Sequence, residues 1–321
     1  MGGQFFRALL LAATAREVFA SCAHGTFLQP RAEADGAVPI STFGYTGRIG
    51  PLNWAALDAA NSACSIGTRQ SPIDMVQGVF TMVAASDLTI DIPDFAEGTE
   101  FENLGTTIEV IAKGGTLAFS GKSFALQQFH FHLPSEHLDN GTSQAMEMHM
   151  VWQSEAQEIA VIGVYIDVVD GAAAVTSVAE PTPVERRGRF MRGQEPALQR
   201  RQNGTAVAAG TPTVLLETIF SVADAIATPG TKVTTPPLIM SEVVNLIKAG
   251  NFQAYSGSLT TPPCSEGVNW FVSTSKLGIS AANFNKVRDI IGFNSRFPQN
   301  SPGQPNLLMV ASTFAVLGAS I

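Results

Sequence analysis

Charge is scarce in this chain. Only 14% of its 321 residues are Asp, Glu, Lys or Arg, and 19 basic against 27 acidic side chains leave a formal net charge of −8. No broad positive face is available to neutralise phosphates, which excludes nucleic acid as a partner. Long apolar runs are missing too: the stretch at residues 8–15 is far too short to span a bilayer. Cysteine occurs three times, at Cys22, Cys64 and Cys264, an odd number that cannot pair completely. Hydrophobic residues, by contrast, make up 45% of the chain, enough for a folded globular protein with a sizeable core.

The N-terminus carries an early Arg7, the short apolar run, and small residues at Ala20 and Ala23 where a signal peptidase can cut. It reads as a signal peptide over residues 1–23, with an N-terminal arm as the alternative. Removing it removes Cys22 and leaves Cys64 and Cys264 as one pair. This places the protein outside the cell or at its surface, where Asn140-Gly-Thr142 and Asn203-Gly-Thr205 have the form of glycosylation acceptors.

Strands dominate the rest. Alternation or β-branched content marks residues 87–92, 106–112, 123–133, 145–152, 158–168 and 268–274. Helical spacing appears in "LNWAALDAAN", "TVLLETIFSVADAIA" and "NFNKVRDIIG", the last ending at a glycine. So few helices between so many strands favour a mainly β (α+β) domain with antiparallel pairing over a doubly wound sheet. Residues 171–212, rich in Ala, Thr, Gly and Pro, read as a disordered insert, with paired arginines at Arg186 and Arg187 and at Arg200 and Arg201 open to processing. The apolar tail at residues 307–321 follows a polar, small-residue stretch and has the outline of a C-terminal lipid-anchor signal, the only membrane attachment the sequence suggests.

Histidine is rare as well, five in all, yet three fall within "QFHFHLPSEH" at residues 128–137. Side chains alternate along a strand, so Gln128, His130 and His132 share one face and the intervening phenylalanines the other. Two imidazoles about 6.5–7 Å apart can converge on one metal. In "AMEMHMV" the same rule aligns Glu147 with His149, which a neighbouring strand can bring in as a third ligand. Three neutral imidazoles with an open fourth position describe a catalytic metal site, and Gln128 and Glu147 stand where they can receive the second N–H of a ligand. One histidine on an apolar strand is more often a hydrogen-bonded core residue; three with such partners favour the metal.

Two families share parts of this pattern. The spacing His130-x-His132-x3-Glu136-x4-Gly141 partly resembles a cupin motif, in which the glutamate is also a ligand. The fuller resemblance is to α-class carbonic anhydrases: "RQSPID" (69–74), "QFHFH" with "SEH" (128–137), "MEMHMVW" (146–152), "YSGSLTTPPCSEGVNWFV" (255–272) and "NSRFPQ" (294–299) occur in that family's order over about residues 41–310. The resemblance implies a single domain built on a central twisted, largely antiparallel sheet with peripheral helices. It implies reversible hydration of carbon dioxide to bicarbonate by zinc-bound hydroxide, and Zn2+ as the cofactor on His130, His132 and His149. Gln128, Glu147 and the backbone of Asn294 would hold those ligands. Thr260 would accept from the hydroxide and donate to Glu136, with Thr261 beside it. Val151, Val161, Leu259, Val268 and Trp270 would wall a pocket for the apolar substrate. Tyr45 and Tyr255 match two tyrosines near the site, Tyr255 supporting His137, which is not a ligand. Cys264 would pair with Cys64. A binding module on the same fold is the non-catalytic alternative, although such relatives typically lose ligand histidines. The sequence departs from the family at Thr106, which stands where fast members carry a proton-shuttle histidine.

Overall fold

A computed structural model of the protein describes residues 23–28, 38–169 and 210–318, the side chains of 314–318 excepted. Cys22, Asn203, the paired arginines and nearly all of the expected signal peptide and insert lie outside the described residues. Twelve strands among the described residues form one sheet: β1 (Thr81–Ala84), β2 (Thr89–Asp91), β3 (Glu100–Asn103), β4 (Ile108–Ile111), β5 (Thr116–Phe119), β6 (Lys122–His132), β7 (Met146–Ser154), β8 (Ile159–Val168), β9 (Lys232–Thr234), β10 (Asn251–Ser258), β11 (Glu266–Ser273) and β12 (Leu277–Ile279). The main order is β1-β10-β11-β8-β7-β6-β4-β3-β9. Only β8 with β11 and β8 with β12 pair in parallel, so the sheet is largely antiparallel, as expected.

Its two faces do different work. Met146, Met148, Met150 and Trp152 of β7 and Ala160, Ile162, Val164 and Ile166 of β8 point to one side. There they meet Leu215, Leu216, Ile219 and Phe220 of the helix Val214–Phe220, and Val243, Val244 and Ile247 of the helix Met240–Lys248. Burial at positions 240, 243, 244 and 247 gives the latter helix one apolar stripe. The intervening residues of β7 and β8 turn to the opposite face, which carries the histidines. With both faces covered, central strands read as nearly continuous apolar runs.

One irregularity decides which side chains reach which face. The pairing of β6 with β7 shifts register between Leu126 and Gln128, leaving Gln127 as an extra residue. Before it, Phe124 and Leu126 face the helix-covered core; after it, Phe129 and Phe131 do. Unbroken alternation would have put Phe124 and Leu126 on the face of His130 and His132. A bulge re-aims every side chain beyond it, and here it aims two imidazoles away from the main core.

Two expected helices are shorter than their patterns. "LNWAALDAAN" divides into one turn, Trp54–Leu57, and a 3-10 turn, Ala59–Ser62, because Asp58 is extended and its carboxylate accepts the Ala60 N–H. "TVLLETIFSVADAIA" likewise breaks after Phe220, continuing as a 3-10 turn at Ala223–Ile226. The third, Ala281–Ile291, runs as expected and stops at Gly292. The tail forms a helix, Leu307–Gly318, and no helix among the described residues is long and apolar enough to cross a membrane. Asn140 is exposed in a turn.

Candidate metal centre

The strand register builds the site. Glu102, Glu109, His130, His149 and Gly163 stand opposite one another in a single row across β3, β4, β6, β7 and β8. The next row pairs His132 with Glu147 and Tyr165. One ring nitrogen from each of His130, His132 and His149 lies within 4.8 Å of the others, and all three residues are buried. Each ring spends its other nitrogen on an acceptor: His130 Nδ1 donates to Gln128 Oε1 at 2.8 Å, His132 Nδ1 to the Asn294 carbonyl at 2.9 Å, and His149 Nε2 to Glu147 Oε1 at 2.9 Å. His132 Nε2 and His149 Nδ1 remain buried without a hydrogen-bond partner. A buried imidazole nitrogen without a proton partner is costly to a fold unless something binds it, and a cation shared by the three rings would meet the need of these two.

Electrostatics favour neutral rings. Burial, with the neighbouring His149 charge, lowers the His132 pKa to about 3 despite the opposing Asn294 carbonyl. Burial and the other two imidazoles hold His130 well below its ordinary value, and burial also lowers His149, against the pull of Glu147. Metal ligands must be deprotonated, and these three already are at neutral pH.

Glu147 behaves oppositely. Burial pushes its carboxyl up, but His137 and His149 outweigh this and hold it well below the usual range. Its Oε2 accepts the backbone N–H groups of Glu136 and His137, both at 2.9 Å, and its Oε1 takes His137 Nδ1 at 2.7 Å besides His149. His137 Nε2 in turn meets Tyr255 Oη at 2.7 Å, and Tyr255 meets Ser71 Oγ at 2.8 Å. Both nitrogens of His137 are thus engaged away from the three-histidine cluster. The row leaves little room for this: a Cβ on Gly163 would lie 2.8 Å from Glu147 Oε1. Gly163→Ala is expected to displace that carboxylate and weaken metal binding by roughly tenfold, within the range for lost ligand partners. Chelator competition on the purified protein measures it, and unchanged affinity would show that Glu147 does not orient His149.

The remaining expected residues gather around the centre. Thr260 hydrogen-bonds the Glu136 carboxyl, whose Oε1 also accepts the Arg296 backbone N–H at 2.9 Å. Burial pushes Glu136 well up in pKa, with those two donors opposing. Val151, Val161, Leu259, Val268 and Trp270 belong to one apolar cluster with Tyr255 and Ala23. Thr261 is fully buried next to Thr260. Tyr45 packs edge-on against Phe43 and Trp54 and lines a pocket together with Glu136. Thr106 is bonded to Ser41 Oγ at 2.8 Å, and its carbonyl accepts from Asn294 Nδ2. A Cys64–Cys264 disulfide closes the loop that bears Thr260 and Thr261.

Sequence reasoning missed four contributors. Arg296, wholly inside the protein, donates to the carbonyls of Ser71 and Cys64 and to Gln70 Oε1. It lies in the "NSRFPQ" segment without standing out there. Glu109, beside His130, and Glu102, beside Glu109, are buried carboxylates, and His24, the residue after the expected signal peptide, reaches Glu109 Oε1 at 2.7 Å. Their burial depends on pairings far apart in the chain, which no local pattern displays.

The family model of eukaryotic-type carbonic anhydrase matches residues 49–184 and 200–302, so the chain belongs to that family. Among solved structures it is similar to the fungal α carbonic anhydrase of Aspergillus oryzae, 35% identical with a TM-score of 0.69, covering 84% of this chain and 98% of that one. It is also similar to the α carbonic anhydrase of Thermovibrio ammonificans, solved with the inhibitor sulfanilamide, at 29% identity and a TM-score of 0.63 over 82% and 97% of the two chains. A carbonic anhydrase of Nostoc sp. is 29% identical over 82% of each chain. Family membership supersedes the partial likeness to cupins.

Proposed function

We propose that the protein catalyses the reversible hydration of carbon dioxide, with zinc held by His130, His132 and His149. The observation that carries this reading is the set of three buried, neutral imidazoles whose other nitrogens are fixed by Gln128, Asn294 and Glu147. Bound zinc would supply the charge that brings the pKa of water down to about 7, a figure for which carbonic anhydrase is itself the standard example.

The protein's own groups supply orientation and a dry pocket. A Thr260 hydroxyl that donates to Glu136 can only accept from a nucleophile on its other side, which fixes the direction of that nucleophile's lone pair. A dication nearby favours the ionised form of Glu136, against the effect of burial, and so strengthens the Thr260 hydrogen bond. Carbon dioxide offers no donor and little dipole, and the wall of Val151, Val161, Leu259, Val268 and Trp270 suits it through contact alone. To Thr261, buried next to Thr260, this reading assigns a contact with bicarbonate.

Counting zinc per chain and measuring hydration by stopped flow on one sample tests the proposal. One zinc with fast, chelator-sensitive hydration supports it; one zinc with none sinks it and leaves a binding module on this fold. Proton export is the expected bottleneck, because the side chain at position 106 is a hydroxyl tied to Ser41 and cannot exchange protons near neutral pH. The rate at saturating substrate is expected to rise as imidazole goes from about 2 to about 50 mM. A flat response would mean that another group in the protein carries the proton.

A further inference from the structure

Residues 23–28 do not trail from the domain. Ala23 is 0% exposed, and His24 and Thr26 are each 2% exposed. The segment is folded on itself, Thr26 N–H donating to the Ala23 carbonyl at 3.0 Å, and is tied down at its far end by Phe27 N–H to Gln153 Oε1 at 3.2 Å. His24 Nδ1 meets Glu109 Oε1 at 2.7 Å and Glu102 Oε1 at 3.5 Å. Glu109 is the direct cross-strand neighbour of His130, so the segment lies on the histidine face of the sheet. Ala23 joins the apolar cluster of Val151, Val161, Leu259, Val268 and Trp270, the wall assigned above to the substrate. With the segment in place Thr260 and Thr261 are fully buried and no ring of the histidine centre is more than 1% exposed.

We propose that residues 23–28 form a self-blocking strap: with Ala23 and His24 seated as described the substrate pocket is closed, and removal of this segment opens it. The inference rests on the carbon dioxide reading of the site. Its chemistry is specific to where the chain is cut. A cut behind Ala23, at the small-residue signal of the N-terminus, removes the buried methyl and makes His24 the chain end.

The test keeps the whole chain. A specific protease site placed within residues 29–37 lets the same folded, zinc-loaded molecule be assayed before and after its first residues are cut away. A second full-length chain carries Ala23→Asp, which puts a carboxylate into the pocket without touching the sheet. Both the cut protein and the Ala23→Asp chain are expected to hydrate carbon dioxide at least about tenfold faster than the uncut chain. In parallel, amide hydrogens of residues 24–28 are expected to be protected from exchange in the uncut chain and unprotected in Ala23→Asp. Equal rates before and after cutting, or exchange of those amides at the rate of an unstructured peptide in the uncut chain, would overturn the strap. Loss of hydration in every form despite bound zinc would instead overturn the carbon dioxide reading, and the exchange measurement would still decide the strap.

Discussion

His149→Ala is expected to cost the protein its zinc and to reduce carbon dioxide hydration by more than about a hundredfold, beyond the 10- to 100-fold typical of losing a ligand's partner. The substitution removes one of three nitrogens converging within 4.8 Å and leaves Glu147 without one of its four donors. Two comparators make the result specific. Glu136→Gln should keep one zinc per chain while slowing turnover, because Glu136 Oε1 is engaged by the Arg296 N–H and its role runs through Thr260. His137→Ala should keep zinc more weakly, since His137 acts only behind Glu147 and Tyr255. Loss of metal in Glu136→Gln with retention in His149→Ala would reverse the assignment and make the carboxylate a ligand.

Cys264→Ser is expected to destabilise the fold by about 5 kcal/mol, the chain-entropy figure for a bridge spanning 200 residues. For a domain of this size that corresponds to a fall in midpoint on the order of 10 °C, readable by calorimetry against the oxidised protein. The effect should extend to activity. Cys264 N–H donates to the Thr261 carbonyl and Leu259 N–H to that of Ser265, so the bridge clamps the loop that carries Thr260. Both ends are also wired to the centre, the Cys264 carbonyl through Gln70 Nε2 and the Cys64 carbonyl through Arg296, whose own N–H holds Glu136. Equal midpoints before and after reduction would show that the bridge adds nothing beyond these hydrogen bonds.

What could be read from the residues alone follows from how local each cause is. Two-residue alternation in β6 and β7 displays His130, His132 and His149 with Gln128 and Glu147, because a strand's faces are set by its own geometry. The largely antiparallel sheet was legible for the same reason. The four donors that keep Glu147 ionised were not, since three belong to His137 and to the turn before it rather than to β7. Nor was Gly163, whose missing side chain matters only once β8 lies beside Glu147. A similar closeness rules Gly257, where a Cβ would lie 2.2 Å from Ser71 Oγ. The helix Met240–Lys248 differs in kind, because its apolar spacing at 240, 243, 244 and 247 is local and therefore legible in the sequence.

The extra residue at Gln127 makes β6 two half-strands of opposite parity. Any single substitution on either side leaves the parity untouched, so the histidine face survives changes of composition that would alarm a pattern search. Deleting one residue, with every chemical group of the site still present, would carry His130 and His132 into the phenylalanine core and turn Phe129 and Phe131 toward the cavity. For this strand, chain length stores the information that places the two imidazoles, and one deletion would displace every side chain beyond it at once.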